Sequence, residues 1–131
     1  MNIWILEDNA DHLRFMTEAL EGIGAKVSGC DNVAGFLKLC DGGKPDLVIL
    51  DFNLTEGQLD HIAAESPKLN AILTDNSVII SSSALAEHDI RNRMRKYAVV
   101  DFIGKPYTSE WLISCVLTLL APSPQPLRRI G

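Results

Sequence analysis

Five short apolar runs alternate with stretches of helical periodicity along the whole chain, and this alternation limits the fold more than any other feature of the sequence. The runs are Ile3–Leu6, Lys26–Cys30, Leu47–Leu50, Val78–Ile80 and Val99–Ile103. Between them, Asp11–Ile23 places Leu13, Met16, Leu20 and Ile23 on one helical face, and Gly22 and Gly24 supply a stop. Val33–Cys40, Gln58–Glu65, Glu87–Tyr97 and Ser109–Leu120 read as further helices, the third-run helix blunted by Pro67 and the last capped by Thr108 or Ser109. Strands separated by helices predict a parallel sheet with helices on both faces. Leu47–Leu50 is apolar without a break, as suits a strand covered on both sides.

The 131 residues suffice for one domain. Residues 1–121 read as that domain, and 122–131, with three prolines, as a tail or a truncated linker. The net charge of −5 argues against direct nucleic-acid binding by this segment, since phosphate-gripping surfaces are basic. No apolar run reaches membrane-spanning length and no signal peptide opens the chain, so no membrane association and a cytoplasmic location are expected. Cys30, Cys40 and Cys115 form neither a CxxC pair nor a zinc pattern and read as reduced thiols.

In a doubly wound sheet, chemistry collects beyond the carboxyl ends of the strands. Those ends carry Glu7-Asp8, Asp51, Ser81-Ser82-Ser83 and Gly104-Lys105-Pro106. Three carboxylates brought to one rim repel each other and resist burial, and a divalent cation relieves that. Mg²⁺ prefers hard oxygen ligands and uses few carboxylates, so it suits the set. A lysine beside them pairs with a carboxylate or a phosphoryl oxygen, and a serine hydroxyl can bond the same group.

Taken together, Ile5-Leu6-Glu7-Asp8, Asp46–Asp51, Ser83-Ala84 and Gly104-Lys105-Pro106 resemble the four signature regions of two-component response-regulator receiver domains. The resemblance implies a flavodoxin-like five-stranded parallel sheet in the order 2-1-3-4-5. It implies Asp51 as phospho-acceptor, Asp8 as a direct Mg²⁺ ligand, Glu7 as a ligand through water, and the backbone carbonyl of Asn53 as another. Ser83 would bond the phosphoryl group, Lys105 would pair with Asp51 before transfer and with the phosphoryl group after it, and Phe102 would be the switch aromatic. A cis peptide before Pro106 is also implied, and the partner would be a sensor histidine kinase or a phosphotransfer protein. Such a domain phosphorylates and dephosphorylates only itself and is no enzyme in the ordinary sense.

Two residues depart from the family's usual pattern: Thr55 stands where many receivers have proline, and Ser83 replaces the commoner threonine. Two other readings compete. Asp51-Phe52-Asn53-Leu54-Thr55 is close to the DxDx[TV] signature of haloacid-dehalogenase-type phosphatases, with Asn53 in place of the second aspartate. A receiver-like binding module without phosphorylation would show loss of an acid, the acceptor or the lysine, and none is lost.

Read singly, the same residues mean less. Phe102 alone is a core aromatic. His12, His61 and His88 read as surface residues, and Trp4 as core. The arginines of Glu87–Tyr97 read as a solvated face. From Thr108 to Leu120 the single charge is Glu110, and apolar residues cover more than one face. That pattern predicts a helix buried against a second subunit or an output domain.

Overall fold

The computed structural model describes residues 1–120. The tail reading for 122–131 lies outside the described residues. In chain order the elements are β1 (Asn2–Leu6), α1 (Ala10–Glu21), β2 (Lys26–Cys30), α2 (Val33–Leu39), β3 (Leu47–Asp51), β4 (Asn53–Leu54), β5 (Gly57–Gln58), α3 (Leu59–Glu65), α4 (Pro67–Asp75), β6 (Val78–Ser83), α5 (Glu87–Arg93), β7 (Val99–Lys105) and α6 (Ser109–Leu120). Five strands form one parallel sheet in the order β2-β1-β3-β6-β7, which is the expected 2-1-3-4-5 of the five main strands. β4 and β5 pair only with each other, as a small antiparallel hairpin.

Side chains on a strand alternate between faces, and the two cores follow that period. Ile3, Ile5, Leu47, Ile49, Ile79 and Ile103 pack with Met16 and Leu20 of α1 and Leu112 and Val116 of α6. Trp4, Leu6, Val48, Leu50, Val78 and Ile80 pack on the opposite face with Phe36, Leu59, Leu69, Leu73 and Ile90 from α2 to α5. All five residues of β3 are buried, as its unbroken apolar run requires. The alternation carries past the apolar residues. Glu7 continues the Ile3–Ile5 row, Asp51 the Leu47–Ile49 row and Lys105 the row of Ile103, so the three polar groups emerge on the α1/α6 side of one sheet edge.

The helical expectations need four adjustments, the first being that α1 stops at Glu21 rather than Ile23, with Gly22 as its C-cap. The segment from Pro67 is a helix of its own: Pro67 occupies its first turn, where a missing N–H costs nothing, and Ser66 caps it by accepting from the Leu69 N–H at 3.2 Å. Glu87–Tyr97 is shorter than its periodicity suggests, ending at Arg93, although Ile90, Met94 and Tyr97 are all buried as the spacing requires. Val33–Cys40 stops at Leu39 and tightens into a 3₁₀ turn over Cys40–Gly42. Thr108, rather than Ser109, caps α6, its Oγ1 accepting from the Trp111 N–H at 3.1 Å. On α6, Leu112 and Val116 are buried while Trp111 and Leu117 remain exposed.

Cys30, Cys40 and Cys115 are partly buried free thiols, as read from the sequence. Among the described residues no helix is long and apolar enough to cross a membrane.

Candidate functional site

β1, β3 and β7 bring their carboxyl ends to one acidic depression, with β6 lying between β3 and β7 in the sheet. Glu7 and Asp51 are almost fully buried there, and Asp8 is half-buried. One carboxylate oxygen from each of Glu7, Asp8 and Asp51 lies within 4.8 Å of the other two. Lys105 reaches in from β7: its Nζ donates to Glu7 Oε1 at 2.8 Å and stands 3.5 Å from Asp51 Oδ2. Loss of hydration and the neighbouring Glu7 charge push the Asp51 carboxyl up to about 7, against the opposing pull of Lys105. Asp8 behaves in the other direction. Burial works against its charge, but hydrogen bonding from Thr55 and its neighbours outweighs this and holds its pKa below the usual range.

Local structure fixes each of these groups. Asn9 caps α1, its Oδ1 accepting from the His12 N–H at 3.0 Å, so the chain turns sharply after Asp8. Glu7 Oε2 accepts from the Asn9 N–H at 3.2 Å, leaving Oε1 to Lys105. The peptide between Lys105 and Pro106 is cis, as the resemblance implied. Gly104 allows β7 to approach the turn after β6: a Cβ there would lie 2.7 Å from the Ala84 Cβ. Ser83 pairs in register with Lys105 and shares a recess with it. Its Oγ accepts from the Leu85 N–H at 3.3 Å.

Of the residues singled out in the sequence, Glu7, Asp8, Asp51 and Lys105 meet at one point, Ser83 stands at its rim, and Asn53 opens β4 two residues beyond Asp51. Phe102 lies apart, half-buried, with the Arg91 guanidinium 4.3 Å over its ring. Arg91 and Arg93 therefore do more than line a solvated face. Arg93 donates to both oxygens of Asp60, at 2.7 and 2.9 Å, and to Gln58 Oε1 at 2.7 Å, and it lies 4.9 Å over the ring of Phe52.

His12 corrects the sequence reading. It is no isolated surface residue: its Nε2 is 2.8 Å from the Tyr107 hydroxyl and 3.7 Å from Glu7 Oε1. With Phe15, Tyr107 and Pro106 it walls a recess of about 630 Å³ that opens onto Lys105 and Ser83. Tyr107 follows the Lys105-Pro106 motif directly, a signal that was visible. Its pairing with His12 spans 95 residues and was not.

Comparison with known proteins gives the family and the fold. Residues 3–117 match the model of the response regulator receiver domain. The hybrid signal transduction histidine kinase D of Dictyostelium discoideum is 27% identical over 118 residues, covering 90% of this chain and 7% of that protein. The KDP operon transcriptional regulatory protein of Escherichia coli (strain K12) is 28% identical over 106 residues, covering 81% of this chain and 45% of that protein. The chain thus spans less than half the length of either relative. A two-component response regulator from Clostridium difficile has the same fold, with a TM-score of 0.77 at 19% identity over 92% of this chain and 95% of that one. A match over most of its length, on a sheet of the implied order, makes this chain a member of the response regulator receiver domain family.

Proposed function

We propose that Asp51 accepts a phosphoryl group from a sensor histidine kinase or a phosphotransfer protein, and that the acidic depression binds Mg²⁺ for this transfer. One observation carries the reading: three carboxylates and one ammonium from three strands converge where Glu7 and Asp8 each accept a side-chain hydrogen bond at 2.8 Å, while Asp51 has only the looser 3.5 Å ion pair with Lys105. The donor set suits Mg²⁺, being hard oxygen throughout and crowded with negative charge that needs a counterion. Asp8 and Asp51 would hold it directly, Glu7 through water, and Asn53 through its backbone carbonyl. Bound there, Mg²⁺ would neutralise charge on the phosphoryl oxygens and orient them.

The remaining chemistry belongs to the chain. An Asp51 carboxylate oxygen attacks phosphorus and forms the O–P bond. The P–N bond to the donor imidazole breaks, and its electron pair stays on the ring nitrogen. Lys105, already within 3.5 Å of Asp51, turns its ammonium to a phosphoryl oxygen. Ser83 holds its own proton for another, since its Oγ only accepts from Leu85. The product is an acyl phosphate on the protein itself, so the chain is consumed as substrate rather than turning over as an enzyme.

Movement of Ser83 towards the new charge would carry the turn after β6 with it. Phe102, beneath Arg91, would follow and repack the α5/β7/α6 surface, a population shift driven by local charge. The exposed Trp111 and Leu117 on α6 are then the surface for a second subunit or an output domain. The phosphatase alternative has no support in the topology, because its aspartate motif would sit on the first strand, whereas Asp51 ends β3.

The test is ³¹P NMR of the protein with phosphoramidate and Mg²⁺. An acyl-phosphate resonance that requires Mg²⁺ and vanishes in Asp51→Asn supports the reading. Steady release of inorganic phosphate from a phosphomonoester, with no protein-bound resonance, would replace it with the phosphatase.

A further inference from the structure

Thr55 occupies the tip of the β4–β5 hairpin, and its hydroxyl donates to Asp8 Oδ2 at 2.8 Å. This contact joins the loop after the acceptor strand to the loop after β1, across 47 residues of sequence. The hairpin is held on its other side as well: Glu56 Oε2 accepts from the Val33 N–H at 2.9 Å, at the start of α2. Asn53 pairs with Gln58 and Leu54 with Gly57, and Gly57 has φ +141°, a conformation that a side chain would strain. The tip is therefore fixed by its ladder, by a glycine-dependent turn and by two side-chain ties. No proline is needed to stiffen it.

A carboxylate oxygen that accepts a hydrogen bond from a fixed hydroxyl leaves the other oxygen in a defined direction. Groups in this relation to a metal ligand govern its affinity, commonly by tenfold or more. Asp8 is the most exposed of the three clustered acids and lacks the lysine that orients Glu7. Thr55 is the side chain that restrains it.

We infer that Thr55 is a positioning residue for the cation: its hydroxyl ties Oδ2 of Asp8 and presents Oδ1 to Mg²⁺, so that the hairpin, through Thr55, sets the Mg²⁺ affinity of the site. This rests on the reading of the acidic depression as a Mg²⁺ site.

The experiment is titration calorimetry of the full chain with MgCl₂, comparing wild type, Thr55→Val and Thr55→Ser. Valine keeps the shape and removes the hydroxyl; serine restores it. Thr55 is exposed, so the variants are expected to fold, and a thermal melt of each confirms this. Thr55→Val should bind Mg²⁺ roughly tenfold more weakly, with Thr55→Ser close to wild type. Phosphorylation by phosphoramidate should show the same order in its half-saturating Mg²⁺, while rates at saturating Mg²⁺ converge. Equal affinity of wild type and Thr55→Val overturns the role of Thr55 and leaves the Mg²⁺ site standing. A loss that serine does not repair also overturns it. A wild-type chain that binds no Mg²⁺ overturns the site and the inference together.

Discussion

Lys105 Nζ sits 2.8 Å from Glu7 Oε1 but 3.5 Å from Asp51 Oδ2, so the one ammonium in the acidic depression is committed to Glu7 and only loosely shared with Asp51. That asymmetry leaves the Asp51 carboxylate poorly neutralised, which agrees with its elevated pKa. It also sets the lysine in competition with any cation for the same oxygens.

Removing Lys105 should therefore separate two quantities that would fall together if the lysine were merely structural. In Lys105→Met, Mg²⁺ should bind several-fold more tightly, because one competing positive charge is gone. Phosphoryl uptake should slow by about 100-fold, the usual loss when a donor to the transferring group is removed. Calorimetry and a phosphoramidate time course measure the two.

Acidity should act on metal-free stability through Asp51. Its carboxyl ionises at about 7 in the fold, against 3.8 for an unperturbed aspartate. Between those values the folded chain keeps a proton that the unfolded chain has lost, so stability from this group is full below 3.8 and fades as pH rises through 7. Thermal melts without metal should show that decline. Mg²⁺ should raise the melting temperature more at pH 8 than at pH 5.5, where it must first displace the proton.

Gly104→Ala tests the approach of β7 to the turn after β6. The added Cβ would fall 2.7 Å from the Ala84 Cβ and 3.0 Å from its Cα, so backbone must shift. A cost of about 1–3 kcal/mol is expected from denaturant melts. Because Ser83 precedes Ala84, phosphoryl uptake should fall as well, even at temperatures where the variant is fully folded.

Arg93→Ala removes the guanidinium that ties α5 to Asp60 and covers Phe52, the residue after Asp51. The arginine and Asp60 side chains are 25% and 16% exposed, which shields the pair from solvent more than a surface ion pair. A loss of about 2 kcal/mol is expected for a two-pronged charged contact of this kind. Arg93→Lys should recover little of it, since an ammonium cannot bond both oxygens in the same geometry. Chemical denaturation distinguishes the three proteins.

The sequence revealed the site better than the scaffold around it. Glu7, Asp8, Asp51 and Lys105 were legible because each ends a strand or follows within two residues of its end, and the rule that parallel strands share one carboxyl edge brings such ends together. The parallel sheet followed from the helix-strand alternation, but its strand order came only from the resemblance. The β4–β5 hairpin was not legible: two-residue strands carry no periodicity, and Gly57 was its sole signal. α4 was hidden because Pro67 reads as a breaker when it stands between two patterns, although it serves equally as a first helical residue once Ser66 caps it. His12 and Thr55 were misjudged or undervalued for another reason. Their partners, Tyr107 and Asp8, lie far away in sequence, and no local pattern encodes a contact of that separation.

In the proposed function, acids from separate strands form one cation site with Asp51 free to attack phosphorus. Intact-mass measurement after incubation with acetyl phosphate tests it most directly, run with and without Mg²⁺ and with Asp51→Asn alongside. One phosphoryl group should be added to the wild type only when Mg²⁺ is present, and none to the variant. A wild-type mass that never changes, or an addition that survives in Asp51→Asn, would contradict it.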